Sequence, residues 1–155
     1  MKQIVVVFML FFSACSIKNY KQTQSKLIII KSPQLKFADL GYVRNSDKAI
    51  ELELFIAGKS VKKIAINHLI CVDEGCMSKS TFNEEYLNAA YPSDLLQNII
   101  LGRKIYAGRN SIKTADGFEQ RIQTQDVDIE YSVTSSIISF KDRKNQIIFK
   151  IKDTK

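Results

Sequence analysis

Ile50-Glu51-Leu52-Glu53-Leu54-Phe55-Ile56-Ala57-Gly58-Lys59-Ser60-Val61-Lys62-Lys63-Ile64-Ala65-Ile66 decides the fold class. Ile50, Leu52, Leu54 and Ile56 alternate with Glu51, Glu53 and Phe55, the period of two that sends successive side chains to opposite faces of a β-strand. Ala57-Gly58-Lys59-Ser60 is short and contains glycine, so strand 49–56 turns back on strand 61–70 as a hairpin. One face is expected to be buried and the other charged. On the return strand Val61, Ile64, Ile66 and Leu69 are core candidates, and His68 reads as a half-buried strand residue.

Upstream, Leu27 to Ile30 is a short apolar run ended by Pro33. Strand 35–44 follows, with Leu35, Phe37, Asp39, Gly41 and Val43 sharing parity and Gly41 marking a bulge or bend; residues 45–48 are a turn by composition. Downstream the period changes. Thr81-Phe82-Asn83-Glu84 has the form of a capping box, which predicts Thr81 as cap and a helix through Leu87. A second helix opens at Pro92 and ends at Gly102, with Leu95, Leu96, Ile99 and Ile100 on one side. Strands then resume at 104–107, 111–114, 118–124, 128–134, 136–141 and 146–152. The fold class is therefore α+β: a curled antiparallel sheet covered by short helices.

The N-terminus sets the cellular context. One charge, Lys2, precedes nine apolar residues from Ile4 to Phe12, followed by Ser13-Ala14-Cys15. Nine helical residues span about 14 Å, half of a ~30 Å hydrocarbon core, so the run reads as a cleaved export signal and not a membrane span. Small residues before a cysteine resemble the lipobox of bacterial lipoproteins, with Phe12 in the place usually held by leucine. That resemblance implies cleavage of residues 1–14, a diacylglycerol on the Cys15 thiol and an acylated new N-terminus. An ordinary secretory signal or a buried N-terminal strand are the other readings. Residues 15–26 are expected to be a flexible tether and residues 27–155 a single domain. The expected location is the bacterial envelope, lipid-anchored, on the outer membrane facing the periplasm, and the protein is expected to be monomeric.

Loss of Lys2 leaves 22 basic against 16 acidic residues. A basic surface on a tethered protein suits anionic headgroups, whereas export excludes nucleic acid as a partner; a solvated face is the plain alternative. Cys71 and Cys76 flank Val72-Asp73-Glu74-Gly75, and an oxidising compartment favours a disulfide between them, with Gly75 able to shape the turn. Free thiols or a metal site with His68 are the other readings, but the chain has a single histidine and no standard zinc spacing, so no metal or other cofactor is expected.

The order of strands, two helices and strands over residues 35–153 resembles the LolB family of outer-membrane lipoprotein receptors and, more distantly, their soluble LolA partners. The likeness is carried by the meander 37–66, by Tyr91-Pro92-Ser93-Asp94-Leu95-Leu96-Gln97-Asn98-Ile99-Ile100-Leu101-Gly102, and by the closing Gln146-Ile147-Ile148-Phe149-Lys150-Ile151-Lys152-Asp153. It implies an unclosed half-barrel, a helical lid and an apolar cavity for the acyl chains of lipoprotein or lipid cargo, received from a periplasmic carrier. Leaving one sixteen-carbon chain in water costs about 12 kcal/mol at ~0.8 kcal/mol per methylene, so such work demands a cavity. The lid would contribute Leu95, Leu96, Ile99 and Ile100; the strands would contribute Phe37, Leu52, Leu54, Phe140 and Phe149, together with Ile64, Ile66, Phe118, Ile138 and Ile151. A filled core accounts for the same positions. Phe55 or Ile56, at the hairpin tip, would correspond to the family's membrane-contacting loop. Absence of tryptophan and the Cys71–Cys76 segment depart from the family. Two rival classes remain: a structural or assembly lipoprotein without lipid cargo, and an enzyme, against which the lone His68 without a nucleophile motif argues.

Overall fold

The computed structural model describes residues 20–154 apart from Glu74. Cys15 and the signal-like run before it lie outside the described residues. Eleven strands follow in chain order: β1 (Gln22–Lys31), β2 (Lys36–Asn45), β3 (Ile50–Ile56), β4 (Lys59–Ile66), β5 (Ile70–Val72), β6 (Gly75–Met77), β7 (Ser111–Thr114), β8 (Gly117–Gln123), β9 (Asp128–Thr134), β10 (Ile137–Asp142) and β11 (Ile147–Asp153). Between β6 and β7 lie helix α1 (Lys79–Tyr86), helix α2 (Leu95–Ile100) and a single 3-10 turn, Tyr106–Gly108.

All strands join one antiparallel sheet in the order β6-β5-β4-β3-β2-β1-β11-β10-β9-β8-β7. β6 and β7, its two ends, are not paired with each other, so the sheet is unclosed. It closes its interior with helices instead. A single hydrophobic core joins inward residues of β1 to β5 and of β8 to β11 with Phe82 of α1 and Leu95, Leu96, Ile99 and Ile100 of α2. A flat sheet could not bring its two halves onto the same two short helices, so the sheet curls around them.

Several expectations need correction. β1 starts at Gln22, not at Leu27, and pairs with β2 along ten residues, from Gln22 opposite Asn45 to Lys31 opposite Lys36. Residues 22–26 thus belong to the sheet and not to the tether: Gln22-Thr23-Gln24-Ser25 bury little, yet their backbone groups find partners in a long β2. Gly41 carries no bulge; it pairs in register with Lys26 and Leu54. A side chain there would meet Ile28 Cδ1 at 2.6 Å and the Glu53 carbonyl at 2.8 Å, so close packing explains the glycine. The irregularity lies one strand on, between Leu54 and Phe55, and leaves Ile56 exposed, outside the expected buried face. Val61, expected in the core, is also exposed.

Ser78, and not Thr81, caps α1, its hydroxyl accepting from the Thr81 N–H at 3.1 Å. Residues 92–94 are turn and not helix, so α2 is shorter than the pattern Pro92 to Gly102 implied. Residues 104–107 form no strand, because Tyr106 and Ala107 take left-handed backbone angles that cannot extend. His68 is exposed in the bend between β4 and β5.

Candidate functional site

α2 is the element that seals the interior. With four of its six residues buried at 0 to 4 % exposure, it presents an apolar face whose spacing follows the helical repeat. Beneath it the rings of Phe140 and Phe149 meet edge-on at 6.0 Å, Tyr91 meets Phe140 at 6.1 Å, and Tyr131 joins the same group. Phe37, Leu52, Leu54, Phe140 and Phe149 are all buried in this core with Leu95, Leu96, Ile99 and Ile100. The structure brings together all nine residues expected to face a lipid, and it packs them against one another.

Open space lies at one end of α2. There a groove of about 260 Å³ has a mixed lining, aliphatic from Val43, Ile100, Leu101, Val133, Ile138 and Ile151 and polar from Gln22, Gln24, Lys26, Asn45, Asp153 and the run Thr134 to Ser136. Of the nine, Ile100 alone reaches it; Ile138 and Ile151 come from the wider set of strand positions. Val43, Leu101 and Val133 were not assigned to the cavity from sequence, although Val43 shares the parity of Phe37. Gly102, at φ +62°, ends α2 beside this groove, and a Cβ there would lie 3.3 Å from both Ile138 and Val133. A smaller groove of about 120 Å³ lies next to the first, with Asn45 and Leu101 lining both.

Polar pins hold the shell around this interior. Asp142 is fully buried and accepts hydrogen bonds from the Tyr91 hydroxyl at 2.6 Å, the Asn145 amide at 2.7 Å and the backbone N–H groups of Asp128, Lys144 and Asn145. Burial raises its pKa, but these donors outweigh burial and leave the carboxyl below its ordinary range. The same burial, with the carboxylate as neighbour, raises the Tyr91 hydroxyl well above a free phenol. Tyr131 reaches across to accept no proton but to donate to the Arg103 carbonyl at 2.9 Å, tying β9 to the chain leaving α2. Gln120, also buried, fixes the following segment through both the N–H and the carbonyl of Ile105.

On the outer side, Glu51 is buried, against the expectation of a solvated charged face. Arg44 at 2.9 Å and Lys63 at 3.0 Å pair with it, and the Tyr20 hydroxyl donates to it at 2.6 Å. Burial and the Glu51 hydrogen bond push the Tyr20 pKa up to about 12. Tyr20 therefore clips the start of the domain onto β3. Phe55 is half-buried, its ring edge-on to Tyr42 at 5.4 Å, while Ile56 stands at the exposed hairpin tip beside Ala57 and Gly58.

Cys71 and Cys76 sit directly opposite each other on β5 and β6, Cα atoms 3.9 Å apart, placed for the disulfide. The turn joining them owes its left-handed residue to Asp73, at φ 53°, and not to Gly75. Among the described residues no group of three or more His, Cys, Asp or Glu is placed to hold a metal ion, and no helix is long and apolar enough to cross a membrane. A larger groove of about 690 Å³ lies on the outer face of β7 to β10, lined by polar groups such as Arg121, Glu130 and Lys141. Compared with protein-family models, with curated proteins and with solved structures, the chain matches none.

Proposed function

We propose that this chain is a lipid-anchored protein of the bacterial envelope that takes acyl chains of lipid or lipoprotein cargo between its unclosed sheet and α2, a LolB-like receptor role. The observation that carries this reading is the groove of mixed lining at the end of α2, where Val43, Ile100, Leu101, Val133, Ile138 and Ile151 meet beside a core whose cover is a helix of six residues joined to the sheet by loops. Its volume falls just short of the ~300–1,000 Å³ of small-molecule pockets, so a whole chain enters only as α2 shifts outward. Such a shift breaks no interstrand hydrogen bond, but it gives up the packing of Leu95, Leu96, Ile99 and Ile100, which the entering chain must replace. Phe55 and Ile56 would meet the membrane at the hairpin tip, and the anchor at Cys15 would keep cargo, cover and bilayer together. No catalytic step enters this role.

The filled core favours a second reading, a structural or assembly lipoprotein that binds another envelope protein and carries no lipid. One experiment separates the two. Full-length protein is purified, its bound lipid is extracted and read by mass spectrometry, and the measurement is repeated on Ile100→Glu, which puts a charge at the mouth. Stoichiometric acyl chains in the parent, lost in the variant while its circular dichroism is unchanged, are the expected result. An empty parent protein assigns the domain to the second reading.

A further inference from the structure

The described residues hold six large, exposed apolar side chains: Leu27, Leu40, Tyr42, Ile56, Val61 and Ile112. Five of them belong to one corner of the sheet. Leu27 of β1 is directly opposite Leu40 of β2, and Leu40 and Tyr42 share a face, since residues two apart on a strand point the same way. Tyr42 touches Phe55 of β3, and Val61, skipped in the pairing after Leu54, has the parity opposite to the inward Ile64 and Ile66 on β4. The four side chains other than the tip residue Ile56 are 38 to 49 % exposed, on the side of the sheet away from α2. Isolated exposed leucines need no explanation, but a contiguous row across four strands does.

Charge frames this row on its borders. Lys152 lies opposite Leu27, Lys150 opposite Ile29, Lys31 opposite Lys36, and Lys59 opposite Ile56. Each of these lysines is exposed and none is in an ion pair among the described residues. On the face that carries Leu40 and Tyr42, the carboxylates of Glu51 and Glu53 are paired with Arg44, and Glu51 again with Lys63. An apolar patch ringed by unpaired cations, with its anions already compensated, complements an anionic bilayer surface, which attracts each nearby lysine.

We propose that the outer face of β1 to β4, and not only the hairpin tip, lies on the lipid headgroups, with Leu27, Leu40, Tyr42 and Val61 dipping into the interface. This deepens the anchored role proposed above and rests on it for one step. Leu54 is level with Lys26 through Gly41, so the tip at Ala57 stands about seven residues, or about 23 Å, along β1 from Gln22. Tyr20 is held to Glu51 and Lys21 to the Asn45 carbonyl, so the link from Cys15 to Tyr20 reaches at most about 18 Å. A domain upright on its tip would stand beyond that reach, whereas a domain lying on β1 to β4 brings the start of β1 and the tip to the surface together.

The chain contains no tryptophan, so a single introduced indole reports its own surroundings. Full-length Leu40→Trp, Val61→Trp and Ile112→Trp proteins are each mixed with vesicles of equimolar phosphatidylcholine and phosphatidylglycerol, with and without brominated acyl chains. The expected result is a blue shift and bromine quenching for Leu40→Trp and Val61→Trp, weakened by salt, and neither for Ile112→Trp. Flotation of the same samples reports the anchor separately. Protein that floats with Leu40→Trp and Val61→Trp unshifted overturns the docking face and leaves the anchored role standing. Shifts in protein shown by mass to be unacylated support the face and refute the anchor. A blue shift without vesicles that grows with protein concentration assigns the face to a second copy of the chain and overturns the proposal.

Discussion

Replacing Ile99 by alanine tests whether α2 is packed as tightly as its burial implies. Ile99 is fully enclosed, on a helix whose remaining core contacts come from Leu95, Leu96 and Ile100. Large-to-small changes at such sites cost about 2–5 kcal/mol, and a site with no exposure lies in the upper part of that range. Ile100→Ala lies in the lower part, because its side chain borders the groove and solvent already reaches it. Against a total stability of about 5–15 kcal/mol both proteins still fold. Urea denaturation followed by far-ultraviolet circular dichroism measures the difference. With a slope of about 1–3 kcal/mol per molar, Ile99→Ala lowers the midpoint by about 1–5 M without changing the slope. A loss below about 1 kcal/mol for Ile99→Ala, or a larger loss for Ile100→Ala than for Ile99→Ala, refutes the account of α2 as the seal of the core.

Two further outcomes follow from the shell. Gly41→Ala forces a Cβ against the Ile28 side chain and the Glu53 carbonyl, so a loss of about 1–3 kcal/mol in the same urea titration is expected; an unchanged midpoint would show that β1 and β3 yield freely there. The folded-state pKa of Asp142 is depressed, so its contribution to stability is present above the ordinary aspartate value near ~3.9 and is lost as pH falls through the lower folded value. The urea midpoint should therefore drop on acidification below about pH 4, and drop less in Asp142→Asn, where that group no longer titrates; equal drops would place the acid sensitivity elsewhere.

The hairpin 50–66 and the closing meander were legible in the sequence because one face of each strand is buried, and period two survives in the residues. The stripe Leu95, Leu96, Ile99, Ile100 was legible for the same reason at helical spacing. What stayed hidden had no such signature. Gln22-Thr23-Gln24-Ser25 is strand because β2 supplies backbone partners, a tertiary fact that polar side chains do not record. Glu51 sits at a position of solvent parity, and only the arrival of Arg44, Lys63 and Tyr20 from other segments makes its burial tolerable. Thr81 offered a capping box, but Ser78 lies three residues earlier with equal chemistry, and composition alone does not rank two hydroxyls. The groove mouth combines β2, α2, β9, β10 and β11, so its members Val43, Leu101 and Val133 share no local pattern.

The anchored role depends on the thiol of Cys15, and the mass of the intact protein extracted from the membranes of a bacterium expressing the full chain tests it most directly. The account requires a chain that begins at Cys15 and carries the added mass of a diacylglyceryl group and an N-terminal acyl group. A chain that retains Met1, or one cut near Cys15 without added lipid, contradicts it.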